Sequence, residues 1–263
     1  PQLIVPLINE MFGKDYPDSA LVIHLSNEHE GPQGSRISDS VFQLQDRVYH
    51  VECQSTADNN MVIRMIEYDF EIALEGAIRA GAPYEMRFPE SCVLFLRHTA
   101  NTPDVLEIRV VLADGQSFMY ATKVMKAQLY GSDELFEKRL LVLLPFYLMR
   151  YEKALAEIEG DDVRTAQLIA ECSDLRVELE RATLAAGDAV LYEQLVELII
   201  RVSDHVMVKN EELRRKVRSA MGGEVLELMR ERAERLEREA EARGIELGLE
   251  QGIEQGIERG IEQ

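Results

Sequence analysis

The stretch from Arg36 to Glu75, RISDSVFQLQDRVYHVECQSTADNNMVIRMIEYDFEIALE, constrains the fold of this chain more than any other. Two β-rich runs, Arg36–Leu44 and Val48–Gln54, flank a polar break at Gln45-Asp46-Arg47, and this pattern predicts a hairpin. Alternate side chains of a strand share a face. Val48, His50, Glu52 and Gln54 therefore lie on one side, with Tyr49, Val51 and Cys53 on the other. Asp39, in the partner strand, is then within reach of the Glu52 side. After Ser55-Thr56-Ala57-Asp58 the period changes to that of a helix, with Met61, Met65, Ile66, Phe70, Ile72 and Ala73 as its expected buried set. Arg64 and Tyr68, four apart, share a helical face.

The rest of the chain frames this unit. Residues 2–12 read as a helix stopped at Gly13, with Pro6 near its first turn, where a missing N–H costs little. ALVIHL (20–25) predicts a strand and NEHEGPQGS (27–35) a loop of turn formers. His24, Glu28 and His29 fit no metal-ligand spacing, and a solvated loop is the expectation there. Glu90–His98 predicts a buried strand. The runs VLEIRVVL and SFMYATKVM, joined at Asp114-Gly115, predict a hairpin. From Ser132 onward the pattern is helical, interrupted by Pro145, with helices expected over Asp162–Ala185 and Ala189–Val208. The fold class is thus α/β: a mixed sheet flanked by helices (1–131), an all-α region (132–223), then a tail (224–263). In that tail a charged helix (224–243) leads into glycines at 244, 248, 252, 256 and 260. Each glycine costs a helix about 1 kcal/mol against alanine, so the tail alone is marginal. Self-association into a homo-oligomer is one expectation for it, and an appendage without a specific role is the other.

Composition narrows the function. Apolar residues make up 46% and charged residues 29%, as in a globular chain with its own core. The longest apolar run, Leu140–Met149, is half the roughly 20 residues a membrane helix needs. No leader pattern stands at the start, so the cytoplasm is the expected location. The chain opens on Pro1 rather than Met, as a fragment lacking a few residues would. Three scattered cysteines make neither a disulfide framework nor a zinc ribbon, and Cys53 reads as a small buried apolar residue. The net charge is −19. It is spread along the chain, with 13 Lys/Arg against 21 Asp/Glu in residues 1–150. Such a charge opposes general nucleic-acid binding and leaves room only for a local basic groove. Arg214, Arg215, Lys216 and Arg218 form the one basic cluster, diluted by Glu211, Glu212 and Glu224.

An acid on one strand, Glu-x-Gln on the next and Arg-x-x-x-Tyr on the following helix resembles the PD-(D/E)XK nuclease superfamily. The branch it is most similar to is that of transposase-associated, recombination-promoting nucleases. The residues carrying the resemblance are Ser38-Asp39-Ser40, His50-Val51-Glu52-Cys53-Gln54-Ser55 and Arg64-Met65-Ile66-Glu67-Tyr68. Pro6-Leu7-Ile8-Asn9-Glu10-Met11-Phe12-Gly13 and Leu144-Pro145-Phe146-Tyr147 also look like that branch.

The resemblance implies a restriction-endonuclease-like core of α-β-β-β-α-β order and a DNA endonuclease using Mg²⁺ (or Mn²⁺). Asp39, Glu52 and Gln54 would be catalytic, and Asp39, Glu52 and the backbone carbonyl of Cys53 would hold the metal. Glu10, on the first helix, and Arg64 and Tyr68 would support the site. Read from the residues alone, Asp39 and Glu52 are two exposed strand carboxylates, Glu10 an exposed helix carboxylate, and Arg64 and Tyr68 a pair tying helix to sheet. Gln54 stands where the superfamily usually has Lys, and Gln supplies hydrogen bonds but no charge. The alternative is therefore a catalytically degenerate binding or oligomeric module on the same fold.

Overall fold

A computed structural model of the chain describes residues 3–25, 28–31, 34–37, 40–56, 58, 60–185 and 187–223, with the backbone alone for 28–31 and 34–37. Asp39 and the whole 224–263 tail, with its expected self-association, lie outside the described residues.

Helix α1 (Ile4–Phe12) ends where Gly13 turns left-handed at φ 63°, a conformation glycine adopts without a Cβ clash. Strands β1 (Val22–His24), β2 (Glu28–Gly31), β3 (Gly34–Ile37), β4 (Ser40–Leu44) and β5 (Arg47–Gln54) follow. Helix α2 (Met61–Ala80) then crosses to β6 (Glu90–Phe95), and β7 (Val105–Val111) and β8 (Ser117–Lys126) close the sheet. The six-stranded sheet has the order β1-β4-β5-β6-β8-β7, and β2-β3 pair apart from it. Strand β4 runs antiparallel to both its neighbours, β1 and β5, while β5, β6 and β8 run parallel and β7 returns antiparallel to β8. The order α1-β1-β4-β5-α2-β6 is an α-β-β-β-α-β arrangement with the β2-β3 hairpin inserted.

Two sequence expectations change here. Within the stretch expected to be a loop at 27–35, residues 28–31 and 34–35 belong to two antiparallel strands, with Gly31 opposite Gly34. The run Arg36–Leu44 is not one strand: its first residues belong to β3 and its last to β4. The Asp114-Gly115 hairpin forms as expected, with Gly115 at φ 86°.

Alternation along the strands gives the sheet two buried faces. Tyr49 and Val51 of β5, Cys92 and Leu94 of β6 and Met125 of β8 belong to the main core, together with α1 and the helices after the sheet. On the other face Val93, Phe95 and Tyr120 pack under Met61 and Met65 of α2. α2 also buries Ile72, Ala73 and Ala77. Phe70, expected inside, is instead 48% exposed, and Ile66 is only partly buried. Met61, Met65 and Asp69 occupy one stripe at i, i+4, i+8, and it is Asp69 that faces the sheet.

Beyond the sheet come α3 (Ser132–Glu137), a 3₁₀ run (Leu141–Tyr151), α4 (Leu155–Glu159), α5 (Asp162–Leu184), α6 (Ala189–Val206) and α7 (Glu211–Ala220). Pro145, with no N–H and a ring that crowds the preceding turn, stops the apolar segment from becoming an α-helix. The segment still buries Leu141, Leu143, Leu144, Tyr147, Leu148 and Met149 in the main core. α5 and α6 start within a residue of where their apolar periods begin, each capped by an aspartate. Asp161 accepts from Val163 N at 2.9 Å and Arg164 N at 3.2 Å, and Asp188 from Leu191 N at 3.0 Å. Asp161→Ala is expected to cost about 1 kcal/mol. The check is a lower urea midpoint with an unchanged m value, and an unmoved midpoint would count against the cap. Among the described residues no helix is long and apolar enough to cross a membrane.

Candidate functional site

The face of β5 that carries Glu52 is buried beneath α2, so its polar side chains must find partners inside the protein. Glu52 is 1% exposed and His50 0%, which corrects the reading of Glu52 as an exposed strand carboxylate. His50 joins three elements. Its Nδ1 lies 2.7 Å from Asp69 Oδ1 on α2, and its Nε2 lies 3.1 Å from Glu52 Oε1 two residues along the same strand. Asp69 is itself 1% exposed. Its second oxygen accepts from Ser91 Oγ at 2.6 Å and from the Tyr120 hydroxyl at 2.7 Å. Ser91 is the parallel register partner of His50 on β6, so the ladder itself brings it to this point.

Burial pulls the His50 pKa down, but the hydrogen bonds to Asp69 and Glu52 outweigh it, leaving the pKa raised to about 9. At neutral pH the ring is an imidazolium, and both nitrogens donate. Burial and then the Asp69 carboxylate push the Tyr120 phenol far above its ordinary value, which keeps it a donor.

The outer side of Glu52 meets Arg64. Arg64 Nη2 lies 3.6 Å from Glu52 Oε2, and Nη1 lies 3.4 Å from Asp58 Oδ2. Partial burial works against its charge, but Tyr68, Glu52 and Asp58 hold its pKa above the ordinary value. The guanidinium lies 5.9 Å from the Tyr68 ring, whose centroid is 6.0 Å from that of His50 in an edge-on arrangement. Arg64 and Tyr68 therefore share one cluster with Glu52.

Other expected site residues lie elsewhere. Glu10 accepts from the Tyr130 hydroxyl at 2.9 Å and from Lys138 Nζ at 2.8 Å. It belongs to α1, which packs on the opposite face of the sheet, beside Cys92. Gln54 is partly buried at the end of β5. Cys53 is exposed, not buried as its residue type suggests. Two residues of the basic cluster of α7 are answered by carboxylates: Lys216 pairs with Glu212 at 2.8 Å and Arg218 with Asp204 at 3.2 Å.

Set against protein-family models, curated proteins and solved structures, the chain shows no significant match. The chemistry of the site therefore rests on its own geometry.

Asp69, Ser91 and Tyr120 were not anticipated. A signal existed for Asp69, since it continues the Met61-Met65 stripe and an acid at an apolar stripe position calls for a buried partner. Ser91 and Tyr120 carry no comparable mark in the sequence.

Among the described residues no three His, Cys, Asp or Glu side chains are grouped as a metal site. By donor type, the end of β5 nonetheless suits a hard cation. Gln54 O accepts from Leu96 N on the β6 side at 2.8 Å, so the preceding carbonyl, that of Cys53, faces the β4 side. Glu52 adds a carboxylate, a hard oxygen donor. Oxygen donors of this kind fit Mg²⁺ or Mn²⁺ better than zinc, since both His50 nitrogens are taken.

Proposed function

We propose that the chain is a metal-dependent DNA endonuclease, a hydrolase of phosphodiester bonds on a PD-(D/E)XK core, akin to the transposase-associated recombination-promoting nucleases. The observation that carries this reading is Glu52: a buried carboxylate at the end of β5, oriented from below by His50 and Asp69 and met from α2 by Arg64. The α-β-β-β-α-β order supports it. Glu52 and the Cys53 carbonyl would hold Mg²⁺, with Asp39 as the third ligand by resemblance. The metal, when bound, lowers the pKa of a coordinated water and polarises the phosphate.

The chain's own residues do the positioning. His50 donates to Glu52 and to Asp69 at once, so the Glu52 carboxylate cannot rotate without breaking a charge-assisted hydrogen bond. Arg64, with 37% of its side chain exposed, offers a guanidinium to a phosphate by exchanging its Asp58 contact. Gln54 orients a water or a phosphate oxygen without adding charge.

A second reading has an observation of its own. His50 is held between Glu52 and Asp69, and Arg64 between Glu52 and Asp58, so both cations of the cluster have carboxylate partners without a metal. That arrangement suits a non-catalytic module in which Gln54 replaces a catalytic Lys.

Supercoiled plasmid incubated with wild type and Glu52→Ala, in Mg²⁺ or Mn²⁺ and in chelator, separates the two readings. Nicking or linearisation by wild type with metal, falling at least about 10²-fold in the variant, is expected for the endonuclease. A folded wild type that cuts with neither metal would overturn the endonuclease reading in favour of the module, and equal cutting by both proteins would remove Glu52 from the site.

A further inference from the structure

A second feature lies at the same end of the sheet. The chain leaving Gln54 and the chain leaving Phe95 run side by side, tied by the Leu96 N to Gln54 O bond, and open into a cavity of about 440 Å³. Thr56, Arg97, His98, Arg150 and Lys153 are among the residues lining it. Thr56 is four residues past Glu52, which at strand spacing keeps the cavity mouth within about 13 Å of that carboxylate. Asp58, two residues further, meets the Arg64 that reaches Glu52.

The charge of this cavity is opposite to that of the chain. Arg97, Arg150 and Lys153 face one carboxylate, Glu152, in a protein of net charge −19. Glu152 is taken by Arg97, with contacts of 2.6 and 3.1 Å. Arg150 is held in place by backbone carbonyls, donating from Nε to Tyr147 O at 3.1 Å and from Nη2 to Tyr130 O, with its guanidinium over the Tyr147 ring. No carboxylate among the described residues pairs with Lys153, which is exposed. Two positive charges thus remain uncompensated. At physiological salt the acidic remainder of the molecule is screened beyond about 8 Å, so a local patch of this kind sets the potential that an anion meets at the cavity. Thr56, Thr99 and Thr102 add hydroxyls to its wall.

We infer that this cavity binds backbone phosphates of the DNA strand next to the one to be cut, with Lys153 as the contacting cation, Arg150 lending its uncompensated charge to the wall and Thr56 at the mouth, four residues past Glu52. The inference rests on the endonuclease reading for its direction, since it sets the path of the strand across the carboxyl ends of β5 and β6. Arg150 acts as a positioning residue, fixing the cavity wall through its carbonyl contacts.

The test is binding of a short fluorescein-labelled DNA duplex, and of one of its strands alone, to the full chain in chelator, read by anisotropy over a salt series. Lys153→Glu and Thr56→Asp change exposed side chains on two different segments, and each is expected to raise Kd about tenfold or more. Lys153→Gln should lower the slope of log K against log salt by about one. Lys209→Glu, the same charge change on an exposed residue outside the cavity, should leave Kd within about threefold of wild type. Cavity variants that bind like wild type, or a control that loses as much as they do, would overturn the inference. Plasmid cleavage that needs Glu52, together with unchanged binding by the cavity variants, leaves the endonuclease reading standing and removes this cavity from it. Weakened binding by those variants without any cleavage does the reverse. A wild type that does not bind DNA ends both.

Discussion

Asp69→Ala is expected to cost about 3–5 kcal/mol of folding stability. The reason is what it leaves behind. His50 would keep a buried positive charge with one of its two carboxylates gone, and the Ser91 and Tyr120 hydroxyls would both lose their acceptor. Nothing replaces it, because water is excluded from a site where His50 is 0% and Asp69 1% exposed. Asp69→Asn keeps an oxygen acceptor but removes the charge, and it should lose less, about 1–3 kcal/mol. Urea unfolding of the two variants against wild type measures both. A loss below about 1 kcal/mol for Asp69→Ala would mean that His50 gives up its proton at little cost, and the network would not be the anchor of α2 on the sheet.

The second large effect is in pH. The folded protein holds His50 at a pKa raised to about 9, against an ordinary value near 6.5 in the unfolded chain. A group whose folded pKa is raised favours the folded state while it is protonated there. Its contribution is therefore fully present below about pH 6.5 and is lost as the pH climbs through 9. The shift corresponds to something on the order of 3 kcal/mol. Stability measured by urea unfolding in chelator should fall across that interval for wild type, whereas His50→Gln should show a much flatter profile from a lower starting value. Parallel profiles for the two proteins would show that His50 is neutral in the fold, with the proton shared differently among Asp69, His50 and Glu52.

Much of the framework could be read from the chain. The period-2 alternation of VYHVECQ assigned Tyr49 and Val51 to one face and His50 and Glu52 to the other, and both faces are as assigned. The four-residue spacing of Arg64 and Tyr68 put both on one face, where Arg64 reaches Glu52 and Tyr68 lies beside Arg64 and His50. The Asp-Gly hairpin and the starts of α5 and α6 were legible because local turn and capping chemistry decides them. What was missed lay in burial. A strand face alternates whether it meets water or a helix, so alternation alone could not say that Glu52 would be buried. Phe70 was expected inside on residue type, yet it is Asp69 that turns inward, because His50, Ser91 and Tyr120 supply the partners that make a buried carboxylate stable.

The sequence by itself determined most of the elements: the outline of the six-stranded sheet though not the β2-β3 pair, where α5 and α6 begin, that Pro145 interrupts the apolar segment, and which residues share a face. These follow from steric and hydrogen-bonding rules that act over a few residues. Tertiary structure alone decided the chemistry of the site. His50, Asp69, Ser91 and Tyr120 come from β5, α2, β6 and β8, and Thr56, Arg97 and Lys153 from three segments that meet at one cavity. Their meeting depends on parallel pairing of β5, β6 and β8 and on α2 crossing over one face. The carboxylates brought together there hold the proton on His50 against the pull of burial, and His50, Ser91 and Tyr120 give Asp69 its partners.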